Sequence, residues 1–148
     1  MDLVAYFSAS GVTKKYAMSL VAHLKADYFE ITPTKLYSKL DLNWENPMSR
    51  SSIEMRKKDA RPEFIQRELD ASKYDKIYLG FPIWWYTAPR IINTFLEAYN
   101  FKAKQIILFA TSGSTKEFGK TVNDLKASAP SCKFIEGPIN PKDFSWIK

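Results

Sequence analysis

The chain has 148 residues, 45% of them hydrophobic, and a formal charge of +6, the profile of one globular domain with a full core rather than a fibrous or disordered protein. No uncharged apolar run approaches the ~18 residues of a bilayer span, and the N-terminus enters a strand without a basic leader or cleavage site, so a cytoplasmic protein is expected. A single cysteine, Cys132, excludes an internal disulfide, and with a single histidine, His23, it makes a zinc site implausible.

Leu3-Val-Ala-Tyr-Phe7 is a continuous apolar run, the pattern of a strand buried on both faces of a parallel sheet. Ser8-Ala-Ser-Gly-Val-Thr13 follows as a hydroxyl-rich turn. Lys14 to Ala26 then reads as a helix, with Val12, Tyr16, Leu20, Val21 and Leu24 at helical spacing. A strand, a hydroxyl loop and a helix start make a place for a phosphate, because unpaired N–H groups and the helix dipole both favour an anion there. The same pattern also makes an ordinary N-cap. No Walker lysine and no GxGxxG is present, so neither a nucleoside triphosphate nor a dinucleotide is indicated. His23 lies on this helix and reads as structural.

Tyr28 to Thr32 reads as a half-covered second strand, ended by Pro33. The stretch from Thr34 to Arg61 is polar and long for a connection, a length often functional. A short helix is expected over Ser52–Lys58, with Ser51 near its cap, and Trp44 is expected to pack on the body or beside a ligand. Pro62 to Leu69 looks helical, with Pro at the start and Ile65 and Leu69 on one side. Lys76 to Phe81 is a third, buried strand. Pro82-Ile-Trp-Trp-Tyr-Thr-Ala-Pro89 is the next loop, and Pro89 opens a helix carrying Ile92, Phe95, Leu96 and Tyr99. Gln105 to Ala110 is the fourth strand, Thr111-Ser-Gly-Ser-Thr115 a second hydroxyl loop, Glu117 to Ser128 a helix, and Lys133 to Glu136 a short fifth strand. Beyond Pro141 there is room for one or two helical turns at most.

Strands alternating with helices predict a parallel sheet covered on both faces. Glu30 and Glu136 put strands two and five at the edges, which fits the doubly wound order 2-1-3-4-5. Ligands of such sheets sit at the carboxyl ends of the strands, here the loops beginning at Ser8, Pro82 and Thr111. The first offers hydroxyls and a helix start. The second offers Ile83, Trp84, Trp85 and Tyr86, a flat apolar surface. The third offers Thr111, Ser112, Gly113 and Ser114. A ligand with a phosphate at one end and a planar ring at the other suits all three.

On these residues the chain resembles the flavodoxin family, in its short flavodoxin-like oxidoreductase branch, from Val4 to Ile139. The resemblance rests on Tyr6 to Thr13, Leu79 to Arg90 and Thr111 to Ser114, with Pro-Ile-Trp-Trp the most specific block. It implies a flavodoxin-like three-layer α/β sandwich with a truncated C-terminal helix, and non-covalent FMN as cofactor. It implies that Ser8, Ser10, Val12 and Thr13 hold the phosphate. Pro82, Ile83, Trp84, Trp85 and Tyr86 would border the ring, and Thr111, Ser112 and Gly113 would close its other side. No side chain need act as a nucleophile, and no metal is required. The chain departs from the family in a glycine-poor third loop and in the nearly absent last helix, which leaves one face of strand five open to a second copy, a homodimer. It also departs in its basic charge.

The basic residues are spread among acids, so nucleic acid is not indicated, and nothing marks a membrane surface. Near a flavin they would raise its potential. One charge ~10 Å away is worth about 0.4 kcal/mol in water and about 1.7 at an effective dielectric of 20, roughly 20–70 mV for one electron. The function expected is electron transfer through FMN, either as a NAD(P)H- or quinone-linked oxidoreductase or as a carrier between proteins. A cofactor-free binding module using Trp84, Trp85 and the basic 50s segment around Arg56-Lys57-Lys58 is the alternative.

Overall fold

An extended chain sends successive side chains to opposite faces, and the apolar strands here bury both. In the computed structural model, described over residues 1–147, β1 (Asp2–Tyr6), β2 (Asp27–Glu30), β3 (Lys76–Pro82), β4 (Gln105–Thr111) and β5 (Lys133–Ile139) form one sheet. All pairings are parallel and the order is β2-β1-β3-β4-β5, as the edge acids predict. Leu3, Ala5, Ile77, Leu79, Phe81, Ile106 and Leu108 face one layer, and Val4, Tyr6, Tyr78 and Phe109 the other.

The second of these faces is covered by α1 (Val12–Leu24), which buries Thr13, Ala17 and Leu20 one turn apart. The segment after β5 completes this layer in place of a helix. Phe144 stacks on His23 with centroids 4.3 Å apart, and the Trp146 indole donates to the Tyr16 hydroxyl at 2.9 Å. His23 is thus a packing residue. β5 keeps no fully buried residue, as its thin cover predicts.

The first face is covered by α3 (Arg90–Ala98) and α4 (Thr121–Lys126), with α2 (Arg50–Arg56) beyond them. Pro89 caps α3, whose Ile91, Ile92, Phe95 and Leu96 are buried; truncating a buried Phe such as Phe95 costs about 3–5 kcal/mol. Cys132 is buried and unpaired, its thiol donating to the Phe101 carbonyl at 3.0 Å.

Several expectations are corrected. Residues 62–69 are extended, not helical. Phe64 is drawn into an aromatic cluster with Phe29, Phe95 and Tyr99. Backbone bonds from Thr34 to Glu63 and from Ile65 to Thr32 then pair the segment with residues 32–34, just past β2. This burial outweighs a weak helical pattern, and it leaves Ile65 exposed. α2 starts two residues earlier than expected, capped by Ser49, whose hydroxyl accepts from the Ser52 N–H at 3.3 Å. α4 is shorter than expected because Phe118 turns into the core against Phe81 and Gly119 takes φ +59°, which a helix excludes. β5 runs on to Ile139. Trp44 does not pack on the body: it is 70% exposed, on a lobe of turns over 36–48.

Candidate functional site

Three loops leave the carboxyl ends of β1, β3 and β4, and short-range bonds tie them together. The hydroxyls of Thr13 and Thr111 lie 2.7 Å apart, joining the first loop to the third. The Ile83 N–H donates to the Thr111 carbonyl at 2.8 Å, and the Lys120 N–H to the Tyr86 carbonyl at 2.9 Å, joining the second to the third. Thr111 is the point all three share.

In the first loop, Gly11 caps α1 in the left-handed region, φ 94°, with no side chain bonded to the helix start and no acid in its first turn. The first N–H to find a helical acceptor is that of Lys15, on the Gly11 carbonyl. The N–H groups of Val12, Thr13 and Lys14 have no acceptor among the described residues, so the positive end of the helix is uncompensated. Ser10 and Val12 are exposed and Ser8 half-buried, its hydroxyl accepting from the Gly11 N–H at 3.1 Å. Thr13 differs from the simple expectation. It is 1% exposed and its hydroxyl is turned to Thr111, which leaves its backbone N–H as its group for an anion.

The second loop is a two-residue reversal. Trp84 and Thr87 exchange both backbone bonds, at 2.9 and 3.1 Å, and the residues between them, Trp85 and Tyr86, have φ 55° and 63°. Two positive φ values in a tight reversal make a type I′ turn, which favours Asn-Gly. Large L-residues there cost roughly 1–2 kcal/mol each. The strained turn is held from beneath. Thr87 donates to Asp124 at 2.6 Å, and Arg90, itself buried, reaches Asp124 at 3.5 Å and the Met55 carbonyl of α2 at 2.9 Å. Gly119 backs the turn so closely that a Cβ there would overlap the Tyr86 carbonyl oxygen. The result presents Trp85 and Tyr86, 43% and 68% exposed, at the carboxyl end of the sheet, past its central strand. Trp84 is half-buried, edge-on to Phe7 at 5.6 Å and Tyr37 at 5.3 Å. Pro82 is half-buried, and Ile83 points into the core.

The third loop is shaped by its own side chains and by Asn140. The Ser112 hydroxyl accepts from the N–H groups of Ser114 and Thr115, at 3.2 and 3.0 Å. The Asn140 amide clamps the Ser112 peptide from both sides, accepting from its N–H at 2.8 Å and donating to its carbonyl at 2.7 Å. A Cβ on Gly113 would meet nothing within 4 Å, so the backbone there is open to a ligand. An open cleft of about 660 Å³ lies between this loop and the end of β5, lined by Lys116 to Gly119 and Glu136 to Ile139. It touches no residue of the first two loops, so the candidate site is the meeting of the loops and not this cleft.

Three contributors escape a reading of the sequence. Tyr37 folds back from the long connection onto Trp84; its hydroxyl donates to Glu54 and its ring lies under Arg50 at 3.8 Å. Burial, then the Glu54 bond, pushes its hydroxyl pKa well up, so it stays protonated. Asp124 and Asn140 are the others, and only Asn140 carried a local signal, the Asn-Pro turn dipeptide. No group of acidic, His and Cys side chains fit for a metal exists among the described residues. No helix among them is long and apolar enough to cross a membrane.

A family model described as Flavodoxin matches residues 1–145. The chain belongs to the flavodoxin family. Among solved structures, a Bacteroides eggerthii protein assigned as a flavoprotein is 41% identical, with TM-score 0.87 over 94% of this chain and 87% of that one. A Bacteroides uniformis protein, also so assigned, is 41% identical, with TM-score 0.86 over 93% and 88%. A Lactobacillus acidophilus flavoprotein in complex with FMN shares the fold at 23% identity, with TM-score 0.78 over 99% and 98%. No curated protein matches the chain. As a flavodoxin-family sheet, it has its three tied loops at the end where such sheets take their ligands.

Proposed function

We propose that this flavodoxin-family chain binds FMN non-covalently between its three loops and passes electrons through it, as one domain in a reducing, cytoplasmic setting. The observation that carries the reading is the start of α1, bonded by no side chain, beside an exposed, strained aromatic turn. One is a donor set without an acceptor, the other an apolar face without a cover. The residues fit the cofactor. The N–H groups of Val12, Thr13 and Lys14, with the hydroxyls of Ser8 and Ser10, suit a phosphate and add no negative charge. Trp84, Trp85, Tyr86 and the half-buried edge of Pro82 suit one side of a planar ring. Thr111, Ser112 and the open Gly113 suit the other, with Ile83 supporting from the core. The FMN complex of the Lactobacillus acidophilus relative supports this choice of ligand.

Bound FMN supplies one- and two-electron redox chemistry. The protein's part is to orient it and to set the charge around it. No carboxylate occurs in the first or second loop or in residues 111–116. Asp124 lies behind the turn with Thr87 and Arg90. With a net charge of +6, added negative charge on the ring is favoured and the potential is raised relative to an acidic carrier.

Titration of the apo-protein with FMN and with riboflavin tests the reading. FMN should bind at least about tenfold tighter, because only it offers a phosphate to α1. Equal affinity for the two removes the phosphate site, and no binding of either removes the function. Steady-state oxidation of NAD(P)H with a small quinone then separates a quinone-linked oxidoreductase from a carrier between proteins.

A further inference from the structure

We propose that the lobe over 36–48, together with the Trp85–Tyr86 turn, is the docking face for an acidic one-electron carrier protein; this rests on the FMN reading above. Leu36, Leu40, Trp44 and Met48 are each at least 70% exposed within thirteen residues of chain. So many exposed apolar side chains in one short segment point to an interaction site. The lobe is built, not loose. Ser38 and Asp41 bond each other's backbone reciprocally, Asn43 and Asn46 each close a turn, and the Arg56 guanidinium reaches back to the Pro47 carbonyl at 2.6 Å. It is joined to the candidate site, since Tyr37, between Leu36 and Ser38, packs on Trp84.

The charge on and beside the lobe selects the partner. Lys35, Lys39, Arg56, Lys57 and Lys58 are exposed, and none is ion-paired among the described residues. Of the nearby acids, Glu54 is paired with Arg50 and Asp41 is bonded to Ser38, while Glu45 beside Trp44 and Asp59 beside Lys58 are exposed. Lys35, Lys39, Arg56, Lys57 and Lys58 outnumber Asp41, Glu45 and Asp59, so the surface around the exposed apolar side chains is positive on balance. A second copy of the chain would bring like charges together. A nucleic acid would match the lysines but not Leu36, Leu40 and Met48, which have no π-face for a base to stack on. An acidic protein with an apolar centre matches both. On contact, one electron leaves the partner's reduced iron–sulfur cluster and enters bound FMN. The partner is oxidised by one electron, the flavin is reduced by one, and no bond forms or breaks.

The test uses the full chain and an acidic plant-type [2Fe–2S] ferredoxin as probe. Calorimetry with both the FMN-loaded and the FMN-free protein should show binding at low salt that weakens about tenfold or more near ~0.15 M salt. Leu40→Ser with Trp44→Ser, and separately Lys35→Gln with Lys39→Gln, should each weaken binding about tenfold. Stopped-flow reduction by the ferredoxin should slow in parallel, with reduction by dithionite unchanged. Because these side chains are exposed, loss of fold is not the expected effect, and circular dichroism checks it. The proposal is overturned if the ferredoxin does not bind, or if the variants bind as well as the parent. It is equally overturned if the lobe variants instead abolish self-association, binding to an oligonucleotide or binding to anionic vesicles. Failure to take up FMN would defeat the cofactor reading alone, since calorimetry on the FMN-free chain still decides the docking face.

Discussion

The Thr13–Thr111 contact is the narrowest link between the first and third loops, and a double-mutant cycle measures it. Thr13 is 1% and Thr111 8% exposed, with their hydroxyls 2.7 Å apart and no other side-chain partner for either among the described residues. Thr→Val keeps the shape and removes the hydroxyl. Either single variant strands one buried hydroxyl, at a cost of about 1–3 kcal/mol, whereas removing both partners is close to neutral. The double variant should therefore be more stable than either single one. Urea unfolding of the FMN-free protein reads this directly: with an m-value of about 2 kcal/mol/M, a 2 kcal/mol loss moves the midpoint by about 1 M. If the hydroxyls act as a lock between loops, both single variants should also weaken FMN by similar factors. Additive stability losses would refute the lock. So would a loss of FMN affinity confined to Thr13→Val, which would place that hydroxyl on the phosphate instead.

Other positions give independent tests. Gly119→Ala combines a positive φ with an overlap on the Tyr86 carbonyl oxygen; it should cost at least ~1–2 kcal/mol in urea unfolding and weaken FMN. Asn140→Gly keeps the φ of 52° accessible while deleting the clamp on Ser112. FMN affinity, read by flavin fluorescence, should fall about tenfold with little change in stability, and an unchanged affinity would remove Asn140 from the site. Arg61 and Ser128 hold the Glu97 carboxyl below its ordinary value, Arg61 chiefly. Its contribution to stability is thus present above about pH 4.3 and lost as pH falls through the depressed value. Glu97→Gln should flatten the acid limb of midpoint against pH, and an unaltered limb would show the pair is idle.

The strands and their order were legible because Leu3 to Phe7, Lys76 to Phe81 and Gln105 to Ala110 are apolar without alternation, while Glu30 and Glu136 mark edges. What misled was local pattern overruled at a distance. Pro62 to Leu69 has a helical start signal, but Phe64 is worth more in the cluster with Phe29 and Phe95 than as part of an isolated turn of helix. Tyr37 could not be placed, since nothing near it in sequence says that the long connection folds back onto Trp84. Trp85 and Tyr86 are informative for another reason. They sit where turn chemistry calls for Asn and Gly, and breaches of a local rule concentrate at working sites. The residues that hold the breach in place, Asp124 and Gly119, lie more than thirty positions downstream and carry no signature of that task.

Arg90 gives these parts a common fate. Its guanidinium grips the carbonyl at the far end of α2 and, through Asp124, the hydroxyl beneath the aromatic turn, while its Nε finds no partner among the described residues. The connection thus meets the aromatic turn twice, through Arg90 and Asp124 beneath it and through Tyr37 against Trp84. A change of shape in either would have to break or carry along the same buried guanidinium.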